Sequence, residues 1–474
     1  MKKATCFDES LFVILGATGD LTKRKLIPAI YKLVADGKVC KYAIVLVSIT
    51  QTTVAQIFDQ ARPFLGSIDS DLLNDIQKKT VYFQMDFNDS AAYSQLSNLL
   101  KDIEKKNGLV GNRIFYFATM PNHFEVISRN FANHRIVPDK KKIKSADLSS
   151  GLLSGNTPWS KLVYEKPFGF DLTSAKNINK YITQIFDERQ IYRIDHYLGK
   201  ELVGNIALIR FTNRVFEPLW NNQHIESVSI NISEDMGVES RGAFYDNYGA
   251  LKDMVQSHML QILALIAMEA PKRLTADFIR DAKANVLKRV VVEKTILGQY
   301  EGYTQEKNVK PKSKTDTFAA LRLKVNNKRW DGVPFYLKTG KCLSKRESFV
   351  EITFKRVECL LDFCPSQSNS LKIKIHPDEG FYLGLNVKVP GVANEVMPVS
   401  MDFCHSCLFG PNTPAAYQVL LTDVIKGDQS AFVRSDEVEL SWKILKQIKT
   451  DKAKIYIYKK SSDGPDEQKD LFKV

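Results

Sequence analysis

The sequence predicts two domains of different class: an α/β domain built on a parallel, doubly wound sheet, then an α+β domain with a large, mainly antiparallel sheet. Three observations carry this. Early in the chain, short apolar runs alternate with amphipathic stretches, the pattern of a parallel sheet covered by helices. The first run enters a glycine turn and then a helical pattern, as at a nucleotide-binding strand end. After about Lys200 strands follow one another with few helices between them, which implies antiparallel neighbours. The change of texture divides the 474 residues into 1–195, a dinucleotide-binding domain, and 196–474, an α+β domain, each long enough for its own core.

Element by element, the run 11–15 is the first strand and 21–35 the helix after its turn. Further strands are expected at 42–49, 81–87, 114–118, 162–164 and 191–194. The polar, turn-rich stretch 137–157 reads as a surface loop. In the second domain, strands are expected at 228–232, 318–325, 335–338, 349–354 and 371–375, and a long helix at 249–268. No internal repeat is visible.

Composition is that of a globular protein, 44% hydrophobic and 26% charged. Lys+Arg of 67 against Asp+Glu of 54 leaves a net charge of +13, a field that attracts small anions and nucleic acid alike. No nucleic-acid-binding signature accompanies it, so a solvated basic surface with a few phosphate ligands is expected. No run is long enough to span a bilayer and no secretion signal is recognised, so the expectation is a cytoplasmic protein without membrane contact. Seven scattered cysteines read as reduced thiols. The lone Cys404/Cys407 pair, even with Cys359 and Cys364, lacks the two tight pairs of a structural zinc site, and no metal is expected.

Two stretches carry chemistry. In the first turn, Gly16, Ala17, Thr18, Gly19, Asp20 and Leu21 can bring backbone amides to a pyrophosphate at a helix N-terminus. The turn has two of the usual three glycines, and a tight turn with no ligand also fits. RIDHYLGKE (Arg193 to Glu201) packs an acid, an imidazole, a phenol and an ammonium after a strand, a set suited to holding a phosphorylated sugar and orienting a base. A charged surface turn is the alternative. On the long helix, Leu251, Met254, Val255, Ile262, Leu265 and Ile266 form an apolar stripe that includes His258. At normal helical pitch Asp253 lies about 140° from His258. The expected partner of His258 is therefore Asp195, with Asp253 left to bind a substrate hydroxyl.

The chain resembles the glucose-6-phosphate dehydrogenase family. The resemblance lies in GATGDLTKRKLIPAIYKL (Gly16 to Leu33), EKPFG (Glu165 to Gly169), QIYRIDHYLGKE (Gln190 to Glu201) and LIRFTNRVFEPLWN (Leu208 to Asn221). It continues through QSHMLQILALIAME (Gln256 to Glu269), RWDGVPFYLKTGK (Arg329 to Lys341) and FVRSDE (Phe432 to Glu437). It implies a Rossmann-like domain, NADP as cofactor, and oxidation of glucose 6-phosphate to 6-phosphogluconolactone at the entry to the pentose phosphate pathway. By the same resemblance Asp195 and His258 form the catalytic dyad, and His196, Tyr197 and Lys200 bind the substrate phosphate. Lys166 touches sugar and cofactor, Lys25 and Lys341 are further cationic contacts, and Glu234 and Asp253 take sugar hydroxyls. Pro167 matches a hinge proline. The resemblance also implies that 196–474 is the substrate and dimerisation domain, with a homodimer or tetramer formed through its sheet.

Three departures bear on specificity. Ile49 stands where the family has an arginine for the 2′-phosphate of NADP, leaving Thr18 with Lys23 or Arg24 as candidates and making use of NAD possible. Ala415 stands where animal members have an aspartate for a structural second NADP, so none is expected. The 140–156 region is an insertion, and a family glutamine near the substrate appears as His376. A related sugar dehydrogenase and a catalytically silent protein on the same scaffold are the alternatives.

Overall fold

The computed structural model describes residues 6–138, 158–358, 367–391, 395–404, 407–408, 415–450 and 453–471. Two compact units compose it: Met1–Gly199, Thr275–Asp277 and Pro414–Val438 form one, and Lys200–Leu274, Phe278–Thr413 and Glu439–Val474 the other.

In the first unit, β1 (Ser10–Leu15), β2 (Tyr42–Ser48), β3 (Thr80–Gln84), β4 (Arg113–Phe117), β5 (Ser160–Glu165) and β6 (Ile191–Ile194) pair in the order β6-β5-β4-β1-β2-β3. Every one of these pairings is parallel. Every residue of β1 and β2 is buried, as a sheet covered on both faces requires. Strand order reverses between β1 and β4, and ligands bind at the carboxyl edge of such a switch point. This is the Rossmann-like arrangement expected. Most of 137–157 lies outside the described residues.

The second unit carries β7 (Ile225–Ser233), β8 (Val290–Tyr300), β9 (Phe318–Val325), β10 (Phe335–Gly340), β11 (Glu347–Phe354), β12 (Ser370–His376), β13 (Gly380–Lys388) and β14 (Val396–Cys404). They form one sheet in the order β14-β13-β12-β11-β7-β10-β9-β8, antiparallel except for β7 with β10. No described helix is long and apolar enough to cross a membrane.

The late sequence does not all belong to the second unit, which corrects the contiguous division at 195/196. The helix Ala416–Lys426 and the strand β15 (Phe432–Val433) join the first unit, where β15 pairs antiparallel with β6. The cause is apolar: Leu420, Leu421, Val424, Ile425 and Phe432 bury themselves in the core that contains Ile14, Ile44 and Ile194. Lys161, on β5 and itself buried, donates from Nζ to the carbonyls of Val424 and Ile425 at 2.8 and 2.9 Å, fixing the end of that helix. After this excursion β16 (Ile455–Tyr458) returns to the second unit and pairs parallel with β8.

The reduced-thiol expectation is also corrected. Cys6 is bonded to Cys40 and Cys404 to Cys407, while Cys342 is a buried free thiol. Parallel pairing of β1 with β2 starts at Ser10 against Tyr42, so the segments just upstream of both strands run side by side and bring Cys6 to Cys40. The Cys359 and Cys364 positions lie outside the described residues.

Candidate active site

Backbone geometry builds the nucleotide end of the first unit. Gly16 has φ of 95°, and a Cβ there would stand 2.4 Å from the carbonyl oxygen of Ala118, so only glycine fits. The amides of Gly16 and Ala17 both donate to the Val47 carbonyl, at 2.8 and 3.0 Å, and Gly19 closes the turn by donating to Gly16 at 3.0 Å. Asp20 is exposed and Leu21 half-buried at its exit. A wide π-type turn, Thr22–Leu26, follows and carries Lys23, Arg24 and an exposed Lys25, before an α-helix runs over Ile27–Ala35.

At the end of β2 the side chains are neutral. Thr18 Oγ1 lies 2.9 Å from Ser48 Oγ and 3.5 Å from Thr50 Oγ1, while Ile49 is 61% exposed. Tyr82 donates to the Ser48 and Thr50 carbonyls, and Gln84 to that of Ile49. Arg24, a candidate cation here, stands over the Phe64 ring at 5.2 Å.

At the carboxyl ends of β5 and β6 the unit gathers acids. Glu165 is bonded by the hydroxyls of Tyr116 and Tyr417, and burial pushes its carboxyl up to about 7, with Asp195 adding to the rise. Lys166 follows, half-buried, ahead of a cis bond to Pro167. Asp195, buried, accepts the Tyr197 amide at 2.9 Å. The rings of His196 and Tyr197 lie 4.9 Å apart. Arg193, the first residue of the RIDHYLGKE motif, is wholly buried and clasped by Glu188, so its task is to hold β6.

In the second unit, Glu234 and Lys341 follow β7 and β10, parallel neighbours, and form an ion pair at 2.5 Å. Lys341 Nζ also lies 5.0 Å above the Tyr245 ring. Burial, and then the charges of Asp253, Asp316 and Glu234, hold the Tyr245 phenol well above its ordinary range, which places it among these acids. Lys200 donates to the Ile375 carbonyl at 3.3 Å. Burial lowers its ammonium, opposed by Glu379 and assisted by Arg346. His376 is lowered by burial and then by Lys200 and Arg346, so it is neutral at pH 7.

The helix bearing His258 departs from expectation. Leu251–Met259 is π-wound, and only Leu260–Ala267 is an ordinary α-helix. Bonding from each residue to the fifth along turns the chain less per residue than an α-helix, so Asp253 and His258, five apart, come round toward the same side instead of lying 140° apart. Nor is there an apolar stripe with a polar back: every residue of Leu260–Ala267 is buried, and His258 is 1% exposed.

The model for the NAD binding domain of glucose-6-phosphate dehydrogenase matches 13–205, and that for its C-terminal domain matches 207–474. The chain belongs to the glucose-6-phosphate dehydrogenase family. A relative from Chlamydia pneumoniae named glucose-6-phosphate 1-dehydrogenase is 39% identical over 462 residues, covering 92% of this chain and 88% of that one. A Bacillus subtilis relative of the same name is 38% identical over 488 residues, with 98% and 96% covered. Among solved structures, a glucose-6-phosphate dehydrogenase in complex with its substrate glucose 6-phosphate superposes with a TM-score of 0.89 at 31% identity, covering 99% and 98%. The Mycobacterium avium enzyme gives 0.83 at 30%, covering 98% and 97%.

Sequence reasoning missed Arg346, Tyr245 and Tyr417, each drawn to a charged site residue by the fold. Glu165 stood inside the EKPFG motif, where its position after an apolar strand was the available signal. Nothing local distinguishes Asp316.

Proposed function

We propose that the chain oxidises D-glucose 6-phosphate at C1 to 6-phospho-D-glucono-1,5-lactone, with NADP as hydride acceptor. Membership of the family over both domains carries the reading, and the charged residues retained in each unit support it. His258 takes the proton of the C1 hydroxyl on a ring nitrogen. Asp195 is its orienting acid, holding the tautomer and stabilising the imidazolium. His196, Tyr197 and Lys200 hold the phosphate through charge-assisted bonds. Lys25, Lys166 and Lys341 add positive charge, and Glu234 and Asp253 take sugar hydroxyls.

The nicotinamide, when bound, supplies the hydride acceptor. The Gly16–Leu21 turn suits its dinucleotide, because it is a tight glycine turn after a parallel strand that leads into a helix, where main-chain amides can meet a pyrophosphate. The hydroxyls of Thr18, Ser48 and Thr50 present neither an arginine fork for a 2′-phosphate nor a carboxylate for a free diol. NADP is therefore used with a weak preference, and NAD is a working substitute. Ala415, in place of the aspartate, argues against a second structural NADP. Pairing through the second unit's sheet accords with the exposed Val387, Met397 and Met401 on β13 and β14; the protein is read as a cytoplasmic dimer or tetramer.

Reduced-nicotinamide absorbance with saturating glucose 6-phosphate and either cofactor tests the activity. In His258→Asn turnover is expected to fall by about 10⁴-fold with little change in substrate affinity. Wild-type turnover in that folded variant rejects the base.

A further inference from the structure

The helix carrying Asp253 and His258 begins without a cap of its own. Its N-cap residue, Ala250, has no side chain that can accept a hydrogen bond, yet the leading amides of a helix need partners when buried. Two amides at its start find them in one residue far along the chain. The Leu251 amide donates at 2.8 Å to Oδ2 of Asp316, which is 65 positions away. The Ala250 amide donates at 2.8 Å to the Asp316 main-chain carbonyl. Asp316 stands just ahead of β9, which is held on both sides by β8 and β10, so the cap is fixed to the sheet.

The preceding residue has made room for this carboxylate. Gly249 has φ of 68°, and a Cβ there would lie 2.5 Å from Asp316 Oδ1. Burial pushes the Asp316 carboxyl up to about 7 against the pull of the Leu251 and Ala250 amides and of Lys252.

A π-wound segment of this length is rare and gives way to α-winding unless its surroundings hold it. Rewinding would carry Asp253 and His258 back to about 140° apart. Because the first turn is where the winding begins, what fixes that turn fixes the register of both residues. We propose that Asp316 is a positioning residue for His258 and Asp253: it anchors the helix from the sheet and thereby keeps the two on one side. The inference rests on the reading of His258 as the base.

The test compares Asp316→Ala with Asp316→Asn in the full-length enzyme. In folded Asp316→Ala, kcat per folded molecule is expected to fall about tenfold to a hundredfold, the cost of a misplacement of about 1 Å at the reacting atoms. KM for glucose 6-phosphate should rise, since Asp253 moves too, and the acid limb of the kcat/KM profile against pH should shift. Asp316→Asn keeps an oxygen to accept the Leu251 amide and should recover to within about threefold of wild type. A lower Tm in Asp316→Ala with unchanged kcat and an unchanged pH profile would mean a purely structural cap and overturn the proposal. Should Asp316→Ala not fold, Asp316→Glu takes its place, where a longer carboxylate displaces the first turn; wild-type kcat there overturns the proposal equally. His258→Asn measured in parallel separates the two readings. If it is fully active, the base assignment has failed; if it is inactive while Asp316→Ala behaves as wild type, only the positioning role has.

Discussion

The nucleotide end of the first unit and the His258 helix of the second are both ligand sites in this reading, yet they are made from different materials. The first is main chain: a glycine turn, a handful of amides and three hydroxyls, all within a few residues of β1 and β2. The second is charged side chains brought from distant strands, with Glu234 and Lys341 paired beside Tyr245 and Asp316 anchoring one buried, π-wound helix. A main-chain site tolerates changes of side chain and fails when a Cβ is added. A side-chain site behaves in the opposite way, since each buried charge depends on partners that a single substitution removes.

The largest effect that separates them is expected at Gly16. Gly16→Ala forces a Cβ into the Ala118 carbonyl at positive φ, costing about 1–3 kcal/mol in strain alone and displacing the amides, so cofactor binding measured by fluorescence titration should be lost. Retained affinity would show that the turn has slack and that the contrast is overdrawn. Next comes Lys200→Ala, which removes a charge-assisted contact to a dianion. About 2 kcal/mol of glucose 6-phosphate binding should go while free glucose is unaffected, and an undiminished advantage of the phosphorylated sugar would place the phosphate elsewhere.

Ile49→Arg sharpens the comparison from the other side by adding a side-chain charge to a main-chain site. NADP affinity should improve by about 1.5 kcal/mol with NAD unchanged; an unaltered NADP constant means that another cation already serves the 2′-phosphate. A separate effect, read in stability and not in binding, concerns Lys161, which burial lowers from its ordinary 10.5 to about 7. Its folded value lies below its unfolded one, so unfolding takes up a proton between about pH 7 and 10.5. Stability should therefore rise with pH across that window by less than one proton's slope, a rise absent in Lys161→Met. Denaturation midpoints at several pH values decide it.

The parallel sheet was legible because its strands are short, continuous apolar runs separated by amphipathic helical stretches. The runs at 42–49, 114–118 and 191–194 became β2, β4 and β6 with ends shifted by a few residues at most. The short β15 and β16 were not legible, since two or four residues become strands only when an edge is presented to them. The two glycines of the first turn could be read from local spacing. The π-winding could not, because a segment buried all round satisfies any helical period. Asp316 and Tyr245 escaped for a related reason: their partners are set by tertiary contact, which leaves no local trace. The disulfide between Cys6 and Cys40 follows from strand register, again invisible along the chain.

The late return of Pro414–Val438 to the first unit has a consequence for synthesis. A chain made from its N-terminus exposes the nucleotide-binding sheet long before this segment emerges. Until then β6 is an open edge, and the core waits for Leu420, Leu421, Val424, Ile425 and Phe432. An unpaired strand edge beside bare apolar surface is a template for other chains. The interval between β6 and β15, half the length of the protein, is therefore when it is most exposed to aggregation, and a premature stop anywhere within it would release a nucleotide-binding domain that is nearly whole and unable to close.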